Sequence, residues 1–115
     1  MTRDDMGNGV RGLRATPSPK LIALLRQQYD FDLIHEVRDL GGSCNLNLLL
    51  TTDSGRYVAR VYRPYVRTAR LEAIQRAWRV LAQGGIPCTQ AVLTSDGAPW
   101  IEFDGRLIEV ERFVA

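Results

Sequence analysis

From Leu40 to Tyr62 the chain reads Leu-Gly-Gly-Ser-Cys-Asn-Leu-Asn-Leu-Leu-Leu-Thr-Thr-Asp-Ser-Gly-Arg-Tyr-Val-Ala-Arg-Val-Tyr. Two adjacent glycines let the backbone come close to an anion because no Cβ stands in the way, and the small hydrogen-bonding residues after them can wrap it. Further on, Arg60 lies inside an apolar strand, where a guanidinium is a fixed charge that grips phosphate oxygens as a planar fork. Gly41, Gly42, Ser43, Asn45 and Arg60 thus have the types and order suited to holding the phosphates of a nucleotide. Each has a plainer reading. Gly-Gly-Ser also makes a bare hairpin turn, and Arg60 could face outward like its neighbours Arg56 and Arg63. The turn and the strand cation in combination favour phosphate.

The elements that must position these residues fit a chain of 115 residues that is 45% apolar and 24% charged, enough for one domain with one core. Residues 1–17 are rich in Gly, Arg, Asp and Pro without periodicity, which predicts a flexible leader, with the folded unit over 18–115. Ser18 as N-cap with Pro19 in the first turn opens a helix carrying Leu21, Ile22, Leu24, Leu25 and Tyr29 at helical spacing. Leu33 to Leu40, Leu46 to Thr52 and Arg56 to Tyr62 read as three antiparallel strands joined by short turns. Thr68 is expected to cap a second helix with an apolar stripe of Leu71, Ile74, Ala77, Trp78 and Leu81, which Gly84 and Gly85 stop. Strand-like runs at Ala91 to Thr94, Pro99 to Phe103 and Arg106 to Val114 follow, broken by Ser95-Asp96-Gly97 and Asp104-Gly105. The reading is α+β: a twisted antiparallel sheet of five or six strands with two helices packed on it.

A net charge of +2 is too small to mark a nucleic-acid surface, and the fourteen arginines are spread along the chain rather than gathered in a stripe. Two cysteines are fewer than a small disulfide scaffold needs. No run approaches the ~20 apolar residues of a membrane span, and Asp4 and Asp5 disfavour a secretory or transit signal. The expectation is a cytoplasmic protein with no membrane and no nucleic-acid partner. His35 has no companion ligand and neither cysteine has metal-site spacing, so no metal site is expected from these residues. Cys44 reads as a small filler unless the loop lowers its pKa, and Trp78 and Trp100 read as packing residues.

In order and spacing the chain resembles the N-terminal lobe of the aminoglycoside phosphotransferase and homoserine kinase-like family, relatives of choline and protein kinases. The resemblance spans Leu21 to Val114 and rests on several short pieces. They are Gln28-Tyr29, Leu40 to Asn47, Gly55 to Tyr62, Gly84-Gly85-Ile86-Pro87 and Glu111-Arg112-Phe113-Val114. It implies that Leu40 to Asn47 covers a nucleotide and that Arg60 stands where the family more commonly has lysine. It implies too that Glu72, the sole acid of the second helix, pairs with Arg60. Glu111 to Val114 would be a hinge strand whose backbone reads the adenine edge, with Phe113 lining the base pocket. Glu72 could instead form a solvated pair with Arg76 at i, i+4, and the hinge segment could be a plain strand.

The function so implied is that of the ATP-binding lobe of a kinase acting on a hydroxyl or amine of a small metabolite or antibiotic. The catalytic aspartate and the magnesium ligands would come from a C-terminal lobe, without which the chain is expected to be inactive. The alternative is a non-catalytic binding module that keeps the lobe's shape, with a homodimer formed through the exposed face. The acceptor is not encoded in this stretch.

Overall fold

The computed structural model describes residues 14–31, 33–87 and 89–113. The expected leader therefore lies mostly outside the described residues, as do Cys88 and Val114. Of its last residues, Arg14 meets the Asp39 carboxylate and Ala15 packs against the core.

Helix α1 (Pro19–Gln28) begins as its sequence demands. The Ser18 hydroxyl accepts from the Leu21 N–H at 3.2 Å, satisfying one orphan donor of the first turn, and Pro19 occupies the position that needs none. Strands β1 (Ile34–Asp39), β2 (Leu46–Thr52) and β3 (Gly55–Val61) pair antiparallel, with Leu46 opposite Val61 and Thr52 opposite Gly55. After helix α2 (Thr68–Gln83) come β4 (Ala91–Val92), β5 (Ile101–Phe103) and β6 (Arg106–Arg112). The sheet order is β1-β2-β3-β6-β4, and β5 also pairs with β6. Phe103 and Arg106 close around Asp104 and Gly105, both at positive φ, the conformation that a two-residue hairpin with native twist requires.

Period-2 alternation divides the sheet into two unlike faces. Leu46, Leu48, Leu50, Tyr57, Ala59, Val61, Ile108 and Val110 point to one side, where they bury against Leu21, Leu25, Tyr29 and Phe31. The opposite side carries Asn47, Arg60, Tyr62, Leu107, Glu109 and Glu111. Helix α2 covers one end of that second face, where Leu71 packs on Tyr62 and Leu107 with Trp100 beside them. β1 is the exposed edge, and its Glu36, Arg38 and Asp39 discourage pairing with another chain.

Three expectations need adjustment. Thr68 is the first residue of α2 rather than its cap; Arg67 holds the cap position and makes no side-chain cap bond. In the expected stripe, Leu71 is buried while Ala77 and Leu81 are exposed, and Gln75 is buried in their place. A glutamine is tolerated there because its amide finds acceptors on the sheet face, as described below. The run from Ala91 to Thr94 is a strand for two residues only. Its end is taken up by a turn in which the Thr94 N–H donates to Ala98 O and the Thr94 hydroxyl accepts from the Ala98 N–H. Among the described residues no helix is long and apolar enough to cross a membrane.

Candidate functional site

Because Arg60 sits between Asn47 of β2 and Glu109 of β6 in the sheet register, its side chain emerges among theirs. The guanidinium Nε donates to Asn47 Oδ1 at 3.0 Å, and Nη1 donates to Glu109 Oε1 and to Glu111 Oε2, each at 3.2 Å. Nη2 donates to Glu111 Oε1, also at 3.2 Å, so Glu111 grips the fork with both oxygens. Burial, the largest single influence, lowers the arginine's pKa, but the hydrogen bonds and charge of Glu111, together with those of Tyr62, outweigh it and hold the group above its ordinary value.

Glu109 is fully buried. A lone buried carboxylate would be very costly, and here it is paired and hydrogen-bonded on both oxygens. Oε1 accepts from the Tyr62 hydroxyl and from Arg60, and Oε2 accepts from the Gln75 amide at 2.9 Å. The same amide donates to Pro99 O at 3.1 Å. Burial first, and then the Glu109 contact, push the Tyr62 phenol well above its ordinary pKa, keeping it a neutral donor.

The glycine turn is tied to this cluster through Asn47. Its amide Nδ2 donates to Gly41 O at 3.2 Å while its Oδ1 accepts from Arg60, so one side chain fixes both the loop and the cation. Gly42 has φ +121°, and a Cβ there would fall 2.8 Å from the Asn45 backbone oxygen. Asp39 caps the loop's entry by accepting from the Gly41 N–H at 2.8 Å. That bond first, with Arg14 next, holds its carboxyl below the usual range. At the exit Asn45 Oδ1 accepts from the Arg63 N–H at 2.9 Å.

These elements border an open pocket of about 690 Å³. Leu40, Val58, Pro87 and Phe113 line it with apolar groups, and Asn45, Asn47, Arg60 and Glu111 with polar ones. Arg56 lies over the Phe113 ring, 4.9 Å from its centroid.

No protein-family model matches the chain. Over 70 residues, 61% of the chain, it is 31% identical to a homoserine kinase of Bartonella tribocorum, and the match covers 22% of that protein. A spectinomycin phosphotransferase, solved with ADP and spectinomycin, superposes on 86% of the chain with a TM-score of 0.67 and 20% identity. The chain shares with that phosphotransferase the α+β fold of a kinase-like N-terminal lobe. It spans 30% of the length of the phosphotransferase and less of the homoserine kinase.

Within this lobe, the residues singled out from sequence fall into three groups. Asn45, Arg60, Glu111 and Phe113 line one pocket. Gly41, Gly42 and Ser43 shape the loop beside it and are solvent-exposed. Glu72 stands apart: it is 61% exposed and its carboxylate bonds Arg76 at 3.5 Å, so the expected pair with Arg60 does not form. The reason is the helix phase, which turns Leu71 and Gln75 toward the sheet and Glu72 away from it. The partners of Arg60 are the β6 acids instead. In the expected hinge segment the Arg112 N–H donates to Gln90 O and the Phe113 N–H to Arg56 O, while Val114 lies outside the described residues.

Asn47, Tyr62, Gln75 and Glu109 were not assigned a role from sequence. A signal existed for two of them: Asn47 is a polar residue inside a leucine run, and Glu109 is an acid inside Leu-Ile-Glu-Val. His35 contacts Asp53 at the exposed end of the first hairpin, and Cys44 is half-buried beside Ser43. Among the described residues no group of three or more His, Cys, Asp and Glu side chains could hold a metal ion.

Proposed function

We propose that this lobe binds ATP in the pocket beneath Leu40 to Asn47, as the nucleotide-holding part of a kinase for a hydroxyl or amine of a small metabolite or antibiotic. The observation that carries this reading is one pocket lined both by the apolar Leu40, Val58 and Phe113 and by an arginine-amide cluster of Arg60, Asn45 and Asn47. A purine needs the first and phosphates need the second. The ADP held by the structurally similar spectinomycin phosphotransferase supports it.

In this reading the base packs against Phe113, Val58 and Leu40, Arg60 faces the phosphates, and Asn45 and Asn47 hold the loop over them. A magnesium ion would travel with the nucleotide and screen its charge. Its ligands, the catalytic acid and the acceptor contacts belong to a second lobe, since phosphoryl transfer depends on groups placed on both sides of the transferred phosphate. The work of this chain is to bind and orient.

Titration calorimetry with ATP and magnesium is the test. Binding by the wild-type chain, weakened about tenfold or more by Arg60→Ala, is the expected result. Binding that is indifferent to Arg60 would remove the cation from the reading, and no binding under any condition would remove the nucleotide.

One observation favours the second reading, a non-catalytic module. Arg60 already makes four hydrogen bonds to Asn47, Glu109 and Glu111, as an internal structural ion pair would. The exposed Val80, Leu81, Ile86 and Leu93 would then be candidates for a contact with another chain, which sedimentation would reveal as a dimer.

A further inference from the structure

We infer that Glu111 is a built-in competitor of phosphate, a carboxylate occupying the position on Arg60 that a nucleotide's phosphate oxygens would take. The inference rests on the nucleotide reading above and deepens it by naming the residue that sets affinity for the phosphate chain.

Three observations carry it. The first is geometric. Glu111 contacts Nη1 and Nη2 with its two oxygens, each at 3.2 Å, the fork-to-fork arrangement that a phosphate also forms with a guanidinium. With Nε on Asn47 and Nη1 shared with Glu109, four of the five N–H directions of Arg60 are already used. A phosphate can take a bidentate hold only if Glu111 lets go.

The second is electrostatic. Arg60 faces two acids, Glu109 and Glu111, so the cluster carries one formal negative charge beyond neutrality. An incoming polyphosphate meets repulsion from the Glu111 carboxylate as well as attraction from Arg60, since both side chains line the pocket.

The third concerns which acid can move. Glu109 has no exposed surface and is fixed by the Tyr62 hydroxyl and the Gln75 amide. Glu111 retains 12% exposure and lines the pocket of about 690 Å³, into which its side chain can swing. Glu109, outside the pocket lining, is thus the permanent anchor of Arg60, and Glu111, which lines the pocket beside Arg60, is the exchangeable partner.

The experiment compares wild type, Glu111→Gln and Glu111→Ala in calorimetric titrations with three probes: ATP with magnesium, inorganic tripolyphosphate and adenosine. Neutralising the competitor should tighten ATP and tripolyphosphate binding about tenfold and leave adenosine unchanged. Adding Arg60→Ala to Glu111→Gln should abolish the gain. A purely structural role for Glu111 would move all three probes together, and Glu111→Ala guards against a misfolded Gln variant. If wild type binds ATP and the Glu111 variants bind it equally or more weakly, the competitor is overturned while the nucleotide reading stands. If neither wild type nor the variants bind, the nucleotide reading fails and the inference falls with it.

Discussion

Gly41 and Gly42 are neighbours of the same type, yet they do different work. Both have positive φ, +95° and +121°, so either would strain a side chain. Among the described residues nothing lies within 4 Å of a Cβ added at Gly41, whereas at Gly42 the Asn45 backbone oxygen and the Asn47 amide lie 2.8 and 3.0 Å away. Gly42→Ala should therefore cost roughly 1–3 kcal/mol of stability, and Gly41→Ala measurably less, by urea denaturation. Equal costs would mean that backbone strain alone, and not the close approach of the Asn45 turn, explains the glycine pair. The residue scale also shows how Arg60 is held: three of its hydrogen bonds go to acids of β6, and one to Asn47, whose other end holds Gly41.

At the scale of elements, α1 is the anchor of the apolar sheet face. Leu25 has no exposed surface, and Leu25→Ala should destabilise the fold by about 2–5 kcal/mol through lost burial and a cavity. Tyr29 behaves differently. Among the described residues its buried hydroxyl has no hydrogen-bond partner, and burial first, then Glu109, push its pKa well above the ordinary value. Tyr29→Phe removes a desolvated polar atom at almost constant shape and should be neutral or stabilising, by up to about 1 kcal/mol. A loss in the same denaturation experiment would point to a partner for the hydroxyl.

The elements were mostly legible in the sequence, because helix and strand periods are local. The three first strands, the α1 cap and both glycine-marked turns are where composition puts them. The short β4 and the phase of α2 were not legible, since each depends on what the segment meets across the sheet. Gln75 is buried only because Glu109 lies beneath it, and Glu109 is tolerable only because Tyr62, Arg60 and Gln75 converge there.

For the molecule as a whole, the Asp39 carboxylate links stability to pH. Its folded pKa is lowered by the Gly41 N–H and by Arg14, so its contribution is present above the ordinary carboxylate range and is lost as pH falls through the lowered folded value. Wild type should accordingly unfold at a higher denaturant midpoint than Asp39→Ala near neutrality, with the gap closing as the solution is acidified below that range. A gap independent of pH would show that the carboxylate's charge is not what caps the loop.

The sequence by itself determined the α+β class, the order of helices and strands, the turn chemistry, and the chance that a glycine loop and a strand arginine serve one site. These follow from nearest-neighbour backbone preferences and from the periods of apolar residues. Only the tertiary structure decided which acid meets Arg60. Pairing β3 with β6 brings residues 49 and 51 positions apart into hydrogen-bond contact, and the phase of α2 turns Glu72 to solvent. No spacing along the chain encodes that choice, because long-range strand pairing is fixed by the summed burial of both sheet faces rather than by any local signal.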